Sequence, residues 1–191
     1  VASWSQGDVD AIVRLHVAAW AISDHDGHGA NLLRTSQGGL IPCDQGQAFK
    51  FFGTDKLSSS YHPNASFGTQ QPVYMQAYAA AKHGGLAPGV TIRPEAALPV
   101  IKAFEALSDD HYRSMLTPAA IEGTKHGGQG VGWYASMRAR AAKQHATTAP
   151  TNQQIADAFL DYAVERKNRL RHDFAAFYAS EGIAHKLDLV S

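Results

Sequence analysis

Residues 24–33 of the sequence read DHDGHGANLL and concentrate side chains that can do chemistry. Two aspartates, two histidines and an asparagine lie among two glycines, directly after an apolar stretch with helical spacing. Such a segment forms neither a good helix nor a good strand, so we expect a loop. A metal site, a phosphate-binding loop and a catalytic loop would each use these residue types, and the spacing of their partners has to decide among them.

Zinc binding is one chemistry that this loop would support, through His25, His28 and its aspartates. Zinc sites on a helix usually use two histidines four residues apart, and zinc sites in loops pair with distant Cys or His ligands. The nearest other histidines in the sequence are His16 and His62. A zinc protein that uses His25 and His28 is therefore an alternative hypothesis and not the preferred one.

Phosphoryl transfer is a second chemistry that fits the loop and the segment after it. It needs a carboxylate near the acceptor hydroxyl, and an amide oxygen plus a second carboxylate that hold magnesium against the phosphates of ATP. Asp26 precedes Asn31 by five residues, and Asp44 follows Asn31 by thirteen. A short hairpin between Asn31 and Asp44 would place all three side chains along one edge, and their oxygen atoms suit the hard cation Mg²⁺.

The same stretch resembles the catalytic and metal-binding loops of phosphatidylinositol 3- and 4-kinase-like enzymes. Their pattern is D-R-H-x-x-N, a short hairpin, and then I-D-x-G. Asp26, His28 and Asn31 match its first part, and residues 43–46 (CDQG) match its second part. Residues 44–49 (DQGQAF) also resemble the D-N-G-x-A-F of type II phosphatidylinositol 4-kinases. The motif covers about 25 of the 191 residues.

The resemblance implies an ATP- and magnesium-dependent kinase that transfers phosphate to a hydroxyl of a lipid, a protein or a small molecule. Asp26 would be the catalytic carboxylate, and Asn31 and Asp44 would bind magnesium. His28 would brace the loop or contact phosphate. Lys50, in the loop after Asp44, is the candidate contact to the phosphates of the cofactor ATP.

The sequence departs from the family pattern at three positions. Gly27 stands where the family has Arg, Gln45 stands where D-F-G has its aromatic residue, and Cys43 stands where Ile is usual. Asp24 is a rival for the catalytic role, but it lies seven residues before Asn31, so the spacing favours Asp26. Asp, Asn and Gly are also the commonest loop formers, so ordinary turns are the competing interpretation.

The pattern of apolar residues predicts the elements that must position this loop. A helix over residues 8–22, with Asp8 as its cap, leads into it. Two short strands over residues 31–34 and 40–43 follow, joined by a turn over residues 36–39, and together they form the hairpin.

The rest of the chain is predicted to be a long loop and then helices. Residues 44–72 are rich in Gly, Ser, Pro and Asn. Pro94 and Pro118 fit first-turn positions, and Thr151 fits an N-cap. We predict helices over residues 73–82, 95–107, 109–116, 118–124, 131–144 and 152–180. The fold class is therefore mainly α with a small β-hairpin, and the resemblance implies a protein-kinase-like C-lobe.

The predicted last helix carries an apolar stripe and a group of basic residues. The basic residues are expected to form a solvated helix face; they are Arg166, Lys167, Arg169 and Arg171. The apolar stripe is expected to face the core; it consists of Ile155, Ala158, Phe159, Tyr162, Leu170, Phe174 and Phe177.

The resemblance makes residues 45–71 the activation or substrate loop. Lys50 and Lys56 lie in it, and Asp55 is expected to offset part of their charge. Lipid kinases tend to carry a basic cluster there, so this offset weakens the prediction of a phosphoinositide substrate. The identity of the phosphate acceptor stays open.

Composition and length limit the remaining function classes. The 17 basic and 17 acidic residues balance, which gives no sign of a nucleic-acid partner. The single cysteine excludes an internal disulfide and fits a cytoplasmic location, and no transmembrane segment is predicted. The length fits one domain over residues 1–191, with residues 24–46 as the catalytic and metal-binding loops and 72–191 as the helical remainder.

The family's N-lobe, a small sheet with a Gly-rich loop and a lysine, is not recognisable in the sequence. Only about 25 residues precede the catalytic loop. The sequence therefore predicts a C-lobe that is a fragment, a subunit completed by a partner chain, or a divergent minimal enzyme. A non-catalytic helical binding module derived from a kinase fold is the alternative.

Overall fold

A computed structural model describes residues 3–36, 39–63 and 70–189 of the chain. Within them the fold is mainly helical with one antiparallel two-stranded sheet, which confirms the prediction of a mainly α fold with a hairpin. The elements in chain order are α1 (Gln6–Ala21), β1 (Leu32–Arg34), β2 (Leu40–Pro42), α2 (Val73–Lys82), α3 (Leu98–Ala106), α4 (Asp109–Thr124), α5 (Tyr134–Gln144) and α6 (Asn152–Ser180).

Helix α1 begins two residues earlier than predicted because Ser5, not Asp8, is its N-cap. The Ser5 hydroxyl accepts a hydrogen bond from the Asp8 backbone N–H, and the Asp8 carboxylate accepts from the Ser5 N–H. This reciprocal capping box satisfies two N–H groups at the start of the helix. The helix then runs through the core and ends at Ala21, just before the candidate catalytic loop.

The hairpin forms as predicted, with both strands one residue shorter than expected. Leu32 pairs with Pro42, Leu33 with Ile41 and Arg34 with Leu40. β1 begins one residue late because residues 29–31 form a short 3-10 turn. Two residues of the predicted turn, 37 and 38, lie outside the described residues, as do residues 64–69 of the predicted substrate loop.

The later helices lie where they were predicted, with three corrections. α2 and α6 have the predicted bounds, and Thr151 caps α6 in a second capping box. The predicted helix over residues 95–107 is a 3-10 turn over Pro94–Ala97 followed by α3, and α5 begins three residues later than predicted.

The third correction concerns α4. The predicted helices 109–116 and 118–124 are one helix, α4, with Pro118 inside it. A proline removes one N–H from the helix ladder and usually breaks it. Here α4 packs against α6, and we attribute the continuity of the helix across Pro118 to that packing.

Two groups of buried apolar side chains form the core, and α6 contributes to both. One group joins α1, α2, α3 and the C-terminal half of α6. The other joins α4, α5, the N-terminal half of α6 and Phe52 from the long loop. Phe52 is fully buried, so this loop is anchored in the core and is not a surface excursion.

The prediction of a solvated basic face on α6 is wrong for two of its four members. Arg166 and Lys167 are each only 3% exposed. Residues four apart share a helix face, so Arg166 continues the stripe between Tyr162 and Leu170. Lys167 donates to the carbonyl oxygen of Leu107, which lies in the short connection between α3 and α4. This hydrogen bond links the connection to α6.

Candidate functional site

The candidate catalytic loop begins where α1 ends, and Asp24 braces it from inside. The Asp24 N–H donates to the Ala19 carbonyl, and an Asp24 carboxylate oxygen accepts from the Asp26 N–H at 3.0 Å. Asp24 is 7% exposed. Burial raises the pKa of its carboxyl, and the nearby charges of Asp26 and Asp44 raise it further.

Asp26 is the more accessible of the two aspartates, with 27% of its side chain exposed. The Asn31 side-chain nitrogen donates to the Asp26 carbonyl oxygen at 2.9 Å and lies 3.4 Å from its carboxylate. The His28 Nε2 atom lies 4.0 Å from the same carboxylate, and His28 Nδ1 is buried without a hydrogen-bond partner in the described part of the chain. Asp26, His28 and Asn31 therefore form one compact group.

The hairpin carries Asp44 back to this group. The Cys43 N–H donates to the Asn31 carbonyl oxygen at 2.8 Å, which extends the pairing of the two strands to the residue before Asp44. Asp44 is exposed and has a φ of 55°, a left-handed conformation that Asp and Asn tolerate better than most residues. The negative charge of Asp44 adds to the raised pKa of Asp24, so Asp44 lies close enough to Asp24 for their charges to interact.

Among the described residues, no group of three or more His, Cys, Asp or Glu side chains is arranged to hold a metal ion. The predicted magnesium ligands are one amide, Asn31, and one carboxylate, Asp44. Magnesium commonly takes one or two protein ligands and completes its shell with phosphate oxygens and water.

Sequence reasoning missed a buried network that involves His25, Asp55 and Arg166. The Asp55 carboxylate has no exposed surface, and the side chains of Arg166 and His25 are 2% and 5% exposed. Arg166 donates to both carboxylate oxygens, one at 2.8 Å and one at 2.5 Å. His25 Nε2 lies 3.0 Å from Asp55 Oδ2 and donates to it, since a carboxylate can only accept.

Arg166 and His25 make further contacts that compensate for the burial of the charged groups in this network. Arg166 also donates to the Trp20 carbonyl at 2.9 Å, and its guanidinium lies 4.0 Å from the Trp20 ring centroid. His25 Nδ1 lies 3.2 Å from the Tyr74 hydroxyl and accepts from it in the neutral ring. Burial opposes ionisation of Asp55, but the hydrogen bonds from Arg166 and His25 outweigh it and hold its pKa at about 2.

This network bears on two hypotheses from the sequence. Both ring nitrogens of His25 are engaged by Asp55 and Tyr74, which argues against the zinc hypothesis. The Asp55 carboxylate is paired with Arg166, so the expectation that it offsets Lys50 and Lys56 is wrong. One signal in the sequence pointed to the network: Arg166 occupies a core-facing position of the α6 stripe.

Lys50 lies away from the other predicted site residues. It lines a groove of about 560 Å³, and none of Asp26, Asn31 and Asp44 lines this groove. The Lys50 Nζ atom lies 5.3 Å from the centroid of the Phe51 ring. The structure therefore groups Asp26, His28 and Asn31, brings the backbone before Asp44 to Asn31, and places Lys50 in a separate groove.

Comparisons with models of known protein families, with curated proteins and with solved structures found no match for the chain. The resemblance to phosphatidylinositol 3- and 4-kinase-like enzymes thus rests on the motif residues alone. None of the described helices combines the length and the apolar character needed to cross a membrane.

Proposed function

We propose that the chain is an ATP- and magnesium-dependent phosphotransferase, or the C-lobe of one, of the phosphatidylinositol 3/4-kinase-like type. The observation that carries the proposal is the hairpin that returns Asp44 to the group formed by Asp26 and Asn31. The spacing of Asp26, Asn31 and Asp44 in the sequence predicts that the chain returns in this way. Phosphoryl transfer needs the three side chains close together.

Each member of the group has a role that its geometry supports. Asp26 is accessible and would orient the acceptor hydroxyl and receive its proton. Asn31 uses its side-chain nitrogen on Asp26, so its Oδ1 atom is the one that would bind magnesium together with the Asp44 carboxylate. His28 would contact a phosphate oxygen or brace the loop, and Lys50 would supply a further positive charge for phosphate.

The electrostatics of the group favour a bound cation. The negative charges of Asp26 and Asp44 add to the burial that raises the pKa of Asp24, so Asp24 experiences repulsion from both. A divalent ion at Asp44 would relieve that repulsion and would also neutralise the charge of the ATP phosphates.

We further propose that a kinase N-lobe comes from a partner chain or from another segment. The described residues contain a single two-stranded sheet, and it belongs to the hairpin. A phosphotransferase also needs a Gly-rich loop and a lysine over the phosphates. We propose a cytoplasmic enzyme with no nucleic-acid partner, and its activity as this chain alone is part of the test.

A thermal-shift titration with ATP and Mg²⁺ tests the site. Saturating ligand at about 100 times its dissociation constant stabilises a binding protein by about 2.7 kcal/mol. Asp44→Asn should lose the shift, and Asn tolerates the left-handed backbone at this position, so the fold should persist. The exposed Asp110 in the first turn of α4 provides the matched control, Asp110→Asn, which should keep the full shift.

The outcomes separate the parts of the proposal. A shift of equal size in wild type and Asp44→Asn would show that Asp44 is not a metal ligand. Absence of a shift in wild type and in Asp110→Asn would show that this chain does not hold ATP unaided, and would leave catalysis to an assembly with an N-lobe.

A non-catalytic binding module is the second candidate, and one observation favours it. Leu33 and Ile41 face each other across the hairpin and are 59% and 51% exposed. Exposed apolar pairs on a two-stranded sheet are suited to partner contact. This candidate predicts no effect of ATP, and an association that is lost in Leu33→Ser/Ile41→Ser when measured by analytical ultracentrifugation.

A further inference from the structure

A cavity of about 400 Å³ lies where α2 and α6 end, and the proposed function gives it no role. Its volume falls within the range of small-molecule sites, roughly 300 to 1,000 Å³. The end of α2, the segment over residues 86–92 and the turn after α6 form its walls. None of Asp26, Asn31 and Asp44 lines it, so the cavity is separate from the candidate catalytic site.

Hydrogen bonds fix the walls of this cavity in place. The Gln6 side chain donates to the Thr91 carbonyl oxygen at 2.8 Å and accepts from the Thr91 N–H at 3.0 Å, which ties the segment over residues 86–92 to the start of α1. Tyr78 lines the cavity and is itself buried. Its hydroxyl lies 3.0 Å from His16 Nδ1 and 3.2 Å from the Tyr178 hydroxyl, so the base of the cavity is held by the core.

Half-buried apolar side chains form much of the wall; they are Ala81, Leu86, Val90, Ile92 and Ile183. The Ile183 N–H donates to the Tyr178 carbonyl oxygen at 2.9 Å, which holds Ile183 against the end of α6. A ligand with an apolar body would remove these side chains and its own apolar surface from water. The wall therefore favours a ligand whose larger part is a hydrocarbon chain or an aromatic ring.

Two opposite charges lie on this apolar wall. Glu181 is half-buried, and its Oε1 atom accepts from the Ser59 hydroxyl at 2.7 Å, which orients the carboxylate. Its second oxygen accepts from none of the described residues. Lys82 is exposed and forms no ion pair with any residue that the structure describes. The two charges therefore fit a ligand that brings an ammonium group to Glu181 and a carboxylate to Lys82.

The ends of α2 and α6 add to the attraction for the ammonium group. Each helix is followed by a glycine in the left-handed conformation, Gly84 with a φ of 69° and Gly182 with a φ of 70°, and both glycines line the cavity. The C-terminal end of a helix carries a partial negative charge. Two such ends reinforce the carboxylate of Glu181, whereas Lys82 alone attracts the carboxylate of the ligand.

We propose that this cavity binds a small zwitterion with an apolar body, the chemical class of the apolar amino acids. The ammonium group binds to the Glu181 carboxylate, and the ligand carboxylate binds to Lys82. The hydrocarbon or aromatic part packs against the apolar wall. This inference goes beyond the proposed function and does not depend on it, because the cavity shares no predicted site residue with the candidate catalytic site.

Isothermal titration calorimetry with leucine and phenylalanine tests the cavity. Two analogues of leucine each lack one charge: 4-methylpentanoate has no ammonium group, and 3-methylbutylamine has no carboxylate. We expect 4-methylpentanoate to bind about tenfold more weakly than leucine, because it loses a charge-assisted contact with the half-buried Glu181. We expect 3-methylbutylamine to bind about threefold more weakly, because Lys82 is exposed and water screens its ion pair.

Variants of the two charged residues assign each contact. Glu181→Gln should weaken leucine binding by about tenfold without weakening 4-methylpentanoate, which has no ammonium group to lose a partner. Lys82→Met should weaken leucine binding by about threefold without weakening 3-methylbutylamine. The exposed Asp110 and Lys143 give the matched controls Asp110→Asn and Lys143→Met, which should bind leucine like wild type.

Ala81→Phe places a large side chain in the cavity and should abolish binding of both amino acids, with far-UV circular dichroism as the check on folding. Retained binding in a folded Ala81→Phe variant would place the ligand elsewhere and overturn the inference. Wild type that binds neither leucine nor phenylalanine at millimolar concentration would also overturn it. Equal affinities for leucine and 4-methylpentanoate would show that the ammonium group is not recognised, and a zwitterion would then be the wrong class of ligand.

Discussion

Replacement of Asp55 by Asn tests whether the buried network holds the site together. The change removes one negative charge at nearly constant volume, from a side chain with no exposed surface. Arg166 is then a buried cation without its carboxylate. Removal of one partner from a buried ion pair typically costs about 3 to 5 kcal/mol, because the remaining charge is uncompensated. Arg166 keeps its contacts with the Trp20 carbonyl and the Tyr162 hydroxyl, so we expect about 3 kcal/mol.

The pH dependence of the unfolding free energy provides a second signature of Asp55. The pKa of Asp55 is about 2 in the folded protein, whereas an aspartate without these contacts, as in the unfolded chain, has a pKa of 3.8. Because the folded pKa is the lower one, the stabilisation is fully present above about pH 4 and is lost as the pH falls to about 2. The difference in pKa corresponds to about 2 kcal/mol. The Asp55→Asn variant has no carboxyl to titrate at this position. The difference in unfolding free energy between wild type and variant should therefore shrink as the pH falls from about 4 to about 2.

Urea denaturation followed by far-UV circular dichroism, at neutral pH and at intervals below pH 4, measures both quantities. Asp173 gives the matched control on the same helix, since it pairs with the 56% exposed Arg169 at i,i+4 spacing. An exposed helical pair contributes about 0.3 to 0.5 kcal/mol, so Asp173→Asn should have a small effect. Hydrogen exchange should rise in Asp55→Asn over residues 24–31 and 45–63, the two segments that the network joins.

Two results would refute this reasoning. If Asp55→Asn lowers the unfolding free energy by less than about 1 kcal/mol, the Asp55–Arg166 pair contributes no more than a surface ion pair does. Increased exchange confined to residues 45–63, with residues 24–31 unchanged, would show that Asp55 anchors its own loop but does not position the catalytic loop through His25.

Three further substitutions test separate parts of the structure. Phe52→Ala empties a fully buried position and should cost about 3 to 5 kcal/mol in urea denaturation, whereas a smaller loss would mean that the long loop is not core-anchored. Gly132→Ala should destabilise the protein in urea denaturation, because the new methyl group would meet the Lys50 carbonyl oxygen at 2.1 Å; an unfolding free energy equal to that of wild type would contradict this. Thr151→Ala should cost about 1 kcal/mol through loss of the α6 cap, while Thr151→Ser should cost much less by the same measurement.

Local signals explain which elements the sequence predicts well. α6 has the predicted bounds because Thr151 and Gln154 form a capping box at its start and the apolar stripe persists to Phe177. The hairpin is found because the turn residues and apolar strands are adjacent in the sequence, and its pairing returns Asp44 to Asn31. The contact of Asn31 with Asp26 and the return of the chain before Asp44 to Asn31 needed no long-range information beyond that hairpin.

Tertiary packing explains where local rules fail. Pro118 is a breaker by its own chemistry, yet it lies inside α4, which packs along α6. Asp55 and Arg166 are 111 residues apart, so no local pattern pairs them. The groove likewise joins residues 46–50 to residues 130–133, and only the fold brings the two segments together.

The buried network links the parts of the proposed active site that differ most in sequence position. His25 directly precedes Asp26, and Asp55 lies in the loop that carries Gln47 and Lys50. Arg166 fixes both through one carboxylate, and it does so from the core face of α6. A displacement of the long loop must therefore break or stretch contacts that also hold the candidate catalytic loop. Since a buried guanidinium is costly without its partner, the folded protein strongly favours the arrangement in which both loops are in place.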